Sequence, residues 1–187
     1  DIEKVQVINM SFSTSVSGLS SQNLQTALNY AYVKNVTVVA ATGNKKPSGS
    51  SGPKYPSAHS TVIAVAATNR EGKRAYFSNY GPHVDIAAPG VDILSTIPMS
   101  GGYGYGTTDG TSQAAPLVSG VAALLYSVLP SGYQRPAVIK RLLVATAIDV
   151  QPSGWDQMVG WGRLNAYQAV YEAANPPRLD FYAPLHY

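Results

Sequence analysis

The chain has 187 residues, of which 45% are hydrophobic and only 12% charged. That is enough apolar material for one sizeable core, and too little charge for a disordered tail or a coiled coil. The net charge of +3 comes from scattered Lys and Arg that build no nucleic-acid footprint, and the lack of cysteine excludes disulfides, thiolate metal sites and a Cys nucleophile.

Val5-Gln6-Val7-Ile8-Asn9-Met10-Ser11-Phe12 opens β-branched and short, as a strand. Leu24, Leu28, Ala31 and Tyr32 then recur at helical spacing behind Ser20-Ser21-Gln22-Asn23, which predicts a capped amphipathic helix. Val36–Ala41 and Val62–Ala67 are near-continuous apolar runs, the pattern of parallel strands covered on both faces. A loop rich in Gly, Ser, Pro and Lys separates them, from Lys45 to Pro56. Arg74–Ser78 reads as a short extended piece, and Val84–Ala88 as a strand stopped by Pro89-Gly90. Ile93–Thr96 and the glycine-interleaved Tyr103–Thr107 read as a hairpin or loop.

A long helix of small and aliphatic residues follows, about Ser112 to Leu129. Its few charges predict burial on most sides. Pro136 suits a first helical turn, and Ile139, Leu142 and Leu143 continue it. Asn165–Ala174 makes a last helix, stopped by Pro176-Pro177. Strands alternating with helices predict an α/β fold, three layers with a mainly parallel sheet. One domain covers residues 1–175, and 176–187 form an irregular tail. No apolar run approaches the about 18 residues of a membrane span.

Functional residues in such folds sit beyond the carboxyl ends of the strands. Two candidates stand there. In Gly110-Thr111-Ser112-Gln113-Ala114-Ala115-Pro116, Ser112 begins the buried helix, where free N–H groups and the helix dipole face a developing anion. A hydroxyl so placed becomes a nucleophile if a base takes its proton. The alternative is a plain helix N-cap. Asn44, after Ala40-Ala41-Thr42-Gly43, offers a side-chain amide that can stabilise an oxyanion. The alternative there is a turn asparagine.

Further stretches, taken in order, resemble the subtilisin-like serine proteases, the subtilases of peptidase family S8. They are Ile8-Asn9-Met10-Ser11, Val38–Asn44, Tyr55-Pro56, Val62–Val65, Phe77-Ser78-Asn79-Tyr80-Gly81, Ala88-Pro89-Gly90 and Gly110-Thr111-Ser112. Gly160-Trp161-Gly162-Arg163-Leu164-Asn165-Ala166 resembles the late Gly-x-Gly-x-x-Asn turn of that family. The resemblance covers about residues 5–174 and implies the C-terminal part of a subtilase catalytic domain, a subtilisin-like fold without its N-terminal strands. By the resemblance Ser112 is the nucleophile and Asn44 the oxyanion donor. Ser11, Phe12 and Ser13 on one side, and Ala41, Thr42 and Gly43 on the other, would flank the pocket for the substrate side chain before the scissile bond. Ser13 stands where the family usually has Gly. The resemblance also implies a cis bond at Tyr55-Pro56 and a weak cation loop at Ser57, His59 and Val62, holding a structural calcium or sodium. No cofactor is required for the chemistry.

The family pairs its serine with an Asp and with a His in a His-Gly-Thr context, both upstream of the stretch matching Asp1. The histidines here are His59, His83 and His186, none in that context, and Leu117 follows Pro116. Asp109, three residues before Ser112, is a carboxylate and so a poor base for a hydroxyl. The expected activity is therefore peptide-bond hydrolysis if an upstream segment completes the site. The rivals are weak carboxyl-ester hydrolysis by the chain alone, and an inactive domain that binds peptide. The expected partners are a peptide or ester substrate, and an N-terminal subtilase fragment or a second copy on the exposed edge of the strand at Val5–Met10. Neither nucleic acid nor membrane is expected. Family resemblance implies secretion, although no signal peptide is visible and the chain opens on Asp1.

Overall fold

A computed structural model of the chain describes residues 5–14, 22–45, 48–99, 102–150 and 153–175. The expected tail at 176–187, and the polar Ser20-Ser21 cap, lie outside those residues. Four parallel strands, β1 (Val7–Met10), β2 (Thr37–Ala41), β3 (Val62–Thr68) and β4 (Ile86–Pro89), lie side by side in chain order. β2 and β3 are buried along their whole length, which is why they read as unbroken apolar runs rather than as alternation.

Successive side chains of a strand face opposite layers. Val38, Ala40 and Val62 pack against Leu28 of α1 (Gln22–Val33), with Ile8, Met10, Leu24 and Ala31 beside them. Val39, Ala41, Ile63, Val65 and Ala67 face the other way. They meet Ala114, Ala115, Val118, Ala122 and Leu125 of α2 (Thr111–Val128). α3 (Pro136–Ala145) and α4 (Ala166–Ala174) back that helix and complete the three-layer α/β arrangement. Pro136 occupies the first turn of α3, and the Asn165 side chain caps α4 by accepting from Gln168 N at 3.1 Å.

Glycine at position 90 is required by a close approach. A Cβ there would meet Ala67 Cβ at 2.6 Å and the Gly110 carbonyl at 2.7 Å. Gly110 N donates to the Gly90 carbonyl at 2.8 Å, so the end of β4 fixes where α2 begins. An antiparallel hairpin, β5 (Ile93–Met99) with β6 (Gly102–Thr108), leads from one to the other. The bond between Tyr55 and Pro56 is cis.

Two expected elements differ. Arg74–Ser78 is a turn rather than an extended piece, because the Arg74 guanidinium gathers the carbonyls of Ala75, Tyr76 and Ser78 around itself. The strand expected at Val84 begins at Ile86. The two rims of the sheet are treated differently. Residues 162–164 cover β4: Ala87 N donates to Gly162 O at 2.9 Å, and Leu164 N donates to Ala87 O at 2.8 Å. β1 pairs with β2 on one side and, among the described residues, with no strand on the other.

Candidate active site

The carboxyl ends of β1 and β2 run straight into Ser11–Ser13 and Thr42–Asn44, and α2 starts between them. Gly110, with extended backbone, is the N-cap of α2 and makes no side-chain cap bond, which places Ser112 second in the helix. The N-cap alternative for Ser112 is thereby corrected. Its Oγ does not turn back on the helix but donates to the Ser11 carbonyl at 2.8 Å. Ser11 Oγ in return donates to the Ser112 carbonyl at 2.9 Å. That carbonyl is available because its helical donor would be residue 116, a proline with no N–H. The reciprocal pair ties the candidate nucleophile to β1 across 101 residues of chain.

Behind Ser11 the network continues. Asn9 Nδ2 donates to Ser11 Oγ at 2.9 Å, and Ser119 Oγ lies 3.0 Å from Asn9 Oδ1. Neither Asn9 nor Ser119 was singled out by the sequence reading. The available signal was a polar side chain in an otherwise apolar strand, and another in an otherwise apolar helix.

Asn44 is oriented from within. Its Oδ1 accepts from Thr111 N at 3.0 Å and from Thr111 Oγ1 at 2.9 Å. Thr111 Oγ1 in turn accepts from Gly43 N at 3.1 Å. Thr111 is fully buried and Asn44 exposed, so the acceptor end of the amide is committed inward and Nδ2 is left as the donor toward solvent. The Asn44 side chain thus spans to α2 rather than closing its own turn. Thr111 is a third residue, after Asn9 and Ser119, to which the sequence pattern assigns no role of its own.

Ser13 and Gly43 approach each other where β1 and β2 end. Gly43 has φ +91°, and a Cβ there would lie 2.0 Å from Ser13 Oγ. Phe12 is exposed, while Ala41, Thr42 and Gly43 are buried. Thr14 N and O pair with Tyr55 O and N at 2.9 and 3.0 Å, which anchors the far end of the Ser11–Ser13 segment.

The other titratable groups lie elsewhere. Asp109 Oδ1 accepts from Asp92 N at 2.8 Å, holding a turn in which Asp92 has φ 54°. His59 and His83 stand at the amino ends of the strands, and His186 is outside the described residues. Among the described residues, no imidazole bonds Ser112 Oγ. Where the resemblance implies a cation loop, Ser57 Oγ donates to the Lys54 carbonyl at 2.8 Å, and Val62 N to the His59 carbonyl at 3.0 Å.

In the first turn of α2, Thr111 N donates to Asn44 Oδ1 and Gln113 N to the Gly110 carbonyl, and Ser112 N is left without an intrahelical acceptor. Ser112 N and the outward amide of Asn44 form a donor pair beside a hydroxyl, which is the arrangement acyl transfer requires. The family model described as the subtilase family, Peptidase_S8, matches residues 3–162. The chain belongs to the subtilase family. Thermitase from Thermoactinomyces vulgaris is 41% identical to this subtilase over 167 residues, which cover 88% of this chain and 54% of that protein. Subtilisin BL from Lederbergia lenta is 40% identical over 80% of this chain and 52% of that one. A solved protease structure from Pseudoalteromonas arctica superposes with a TM-score of 0.78 at 36% identity, covering 90% of this chain and 51% of that one. This subtilase spans about half the length of those relatives. An extracellular protease of Xanthomonas campestris is 40% identical over 91% of it. Among the described residues no helix is long and apolar enough to cross a membrane.

Proposed function

We propose that this chain carries the nucleophile and part of the oxyanion hole of a secreted serine protease, with Ser112 attacking the acyl carbon and Asn44 Nδ2 donating to the oxyanion. The observation that supports it most is the Thr111 clamp. One buried threonine holds the acceptor end of the Asn44 amide and immediately precedes Ser112, so both groups are fixed by the same turn. Ser11–Ser13 and Ala41–Gly43 would flank the pocket for the substrate side chain before the scissile bond. In this reading a segment upstream of Asp1 would supply the base for the Ser112 proton, since among the described residues Ser112 Oγ donates to the Ser11 carbonyl and no histidine meets it. The donor set favours hydrolysis of carboxyl esters as the activity of the chain by itself, since activated esters depend less on acid–base assistance than amides do.

The test is hydrolysis of an activated acetate ester and of a peptide anilide by the purified chain. Slow ester cleavage and negligible anilide cleavage are expected, with the ester activity lost in Ser112→Ala. Asn44→Ala should lose less, within the roughly 2.7–4 kcal/mol that one oxyanion donor contributes. Added imidazole should raise the rate by serving as the base. Efficient anilide cleavage by the single chain would show that a base is already present. Ester cleavage indifferent to Ser112→Ala would place the chemistry elsewhere, and tight peptide binding without turnover would favour a binding domain.

A further inference from the structure

The two segments that would flank the substrate side chain leave the sheet in register. Met10 pairs with Ala40, and Ser13 and Gly43 follow three residues later on each side. A Cβ built on Gly43 would overlap Ser13 Oγ and lie 3.0 Å from Ser13 Cβ. One Cα–Cβ bond of about 1.5 Å at either end then sets the two Cα atoms no more than about 6 Å apart. An aliphatic group passing between two backbones needs a contact of about 3.5–4 Å on each side, about 7–8 Å in all. The gap is narrower than that, and the Ser13 side chain lies in it.

Both walls are anchored. Thr14 N and O pair with Tyr55 O and N, which holds the end of the Ser11–Ser13 segment. On the other wall Thr42 N donates to Val65 O at 3.0 Å, and Asn79 N donates to Gly43 O at 2.9 Å. Asn79 Nδ2 donates to the Thr42 carbonyl at 2.9 Å and would lie 2.8 Å from a Cβ on Gly43. Asn79 is buried, so it backs Gly43 as a fixed support. Rotating the Ser13 side chain moves Oγ but leaves Cβ where it is.

We propose that Ser13 determines specificity in this subtilase, limiting the residue before the scissile bond to glycine or alanine. The proposal rests on the reading of Ser112 and its flanking segments given above, and adds to it the size of the side chain accepted. A methyl group stops short of the gap. A side chain with a γ-carbon or more must enter between Ser13 and Gly43, where the space is taken. Ser13 would meet the substrate side chain and not the reacting atoms.

The purified chain is assayed with the 4-nitrophenyl esters of N-acetyl-alanine, N-acetyl-leucine and N-acetyl-phenylalanine. In the wild type kcat/KM should be at least about tenfold lower for leucine and phenylalanine than for alanine, the scale of a misfit of one methylene or more. Ser13→Gly clears both Cβ and Oγ from the gap, and should raise the leucine-to-alanine and phenylalanine-to-alanine ratios about tenfold. Ser13→Ala clears Oγ alone and should fall between. Circular dichroism establishes that each variant is folded.

A second measurement needs no turnover. In the Ser112→Ala background the ¹⁵N-labelled chain is titrated with acetyl-Ala-Ala-Ala and with acetyl-Ala-Ala-Phe, and the Gly43 amide resonance is followed. The alanine peptide should shift it saturably, and the phenylalanine peptide only once Ser13→Gly is added. Ester hydrolysis that survives Ser112→Ala would refute the nucleophile, and the titration would still decide the role of Ser13. Ser112-dependent cleavage of all three esters at equal rates, or ratios unmoved by Ser13→Gly, would overturn the proposal and leave the nucleophile standing. So would a phenylalanine peptide that shifts Gly43 equally with and without the Ser13 side chain, or no shift by either peptide in either chain.

Discussion

Thr111 connects three groups through one side chain and its own N–H. Its Oγ1 accepts from Gly43 N and donates to Asn44 Oδ1, while its N–H gives Asn44 a second bond. Thr111→Val keeps the shape and the N–H but strips a partner from Gly43 N and from Asn44 Oδ1. Leaving buried polar groups unmatched costs about 1–3 kcal/mol, which urea denaturation would register. If Thr111 acts on catalysis by aiming the Asn44 amide, ester hydrolysis should fall in Thr111→Val. In the Asn44→Ala background the same change should add little, because the group it aims is gone. Fully additive losses in that cycle would mean that Thr111 does not work through Asn44. Thr111 stood in plain sight within Gly110-Thr111-Ser112, yet its role depends on a bond spanning 67 residues that no local pattern displays.

The elements were far more legible than these contacts. β2 and β3 announced themselves as continuous apolar runs because both faces are covered, and α2 because almost nothing on it is charged. Arg74–Ser78 misled, since one arginine collecting three carbonyls overrode a local extended preference. Edge status was inferred from the resemblance, and the strand order places β1 at the rim. Its polarity can be worked out. Thr37 N donates to Gln6 O, so Gln6 and Ile8 direct their backbone groups at β2, and Val7 and Asn9 direct theirs at the open side. An open edge beside buried apolar strands invites pairing. The chain by itself should therefore associate in a concentration-dependent way, visible in sedimentation velocity. Val7→Pro removes an N–H from the open side without touching the β2 ladder, and it should reduce association. A wild-type chain that remains a monodisperse monomer at high concentration would refute this.

Across the whole molecule, the sheet separates two polar regions by its length, and the sequence names residues of both, with Ser57, His59 and Val62 at the amino end only as a loop implied by the resemblance. The carboxyl-end site has motif residues close together in sequence, such as Gly43-Asn44 and Gly110-Thr111-Ser112. A cavity at the amino end draws on α1, the loop before β3, the turn before β4, the start of α3 and Trp155 and Trp161, segments far apart in the chain. Its histidines looked like ordinary loop residues until the fold buried their Nε2 atoms. That burial has a consequence for stability. Both histidines have folded-state pKa values below the ordinary 6.5, chiefly through desolvation. The unfolded chain therefore binds more protons as pH drops below about 6.5, and stability falls as pH falls through that window toward the lowered folded values. Asp85 acts in the opposite sense. Burial raises its pKa above 3.8 against the pull of Lys140, so in the window just above 3.8 the folded state holds more proton and stability declines as pH rises. The two effects partly cancel in acid, and wild-type melting alone would not separate them. A His59→Gln/His83→Gln double variant does, because Asp85 and Lys140 remain in both proteins. Thermal unfolding from about pH 5 to 7 should show stability rising with pH in the wild type, and rising less steeply in the variant. Parallel curves for the two proteins would mean that neither imidazole is held neutral by the fold.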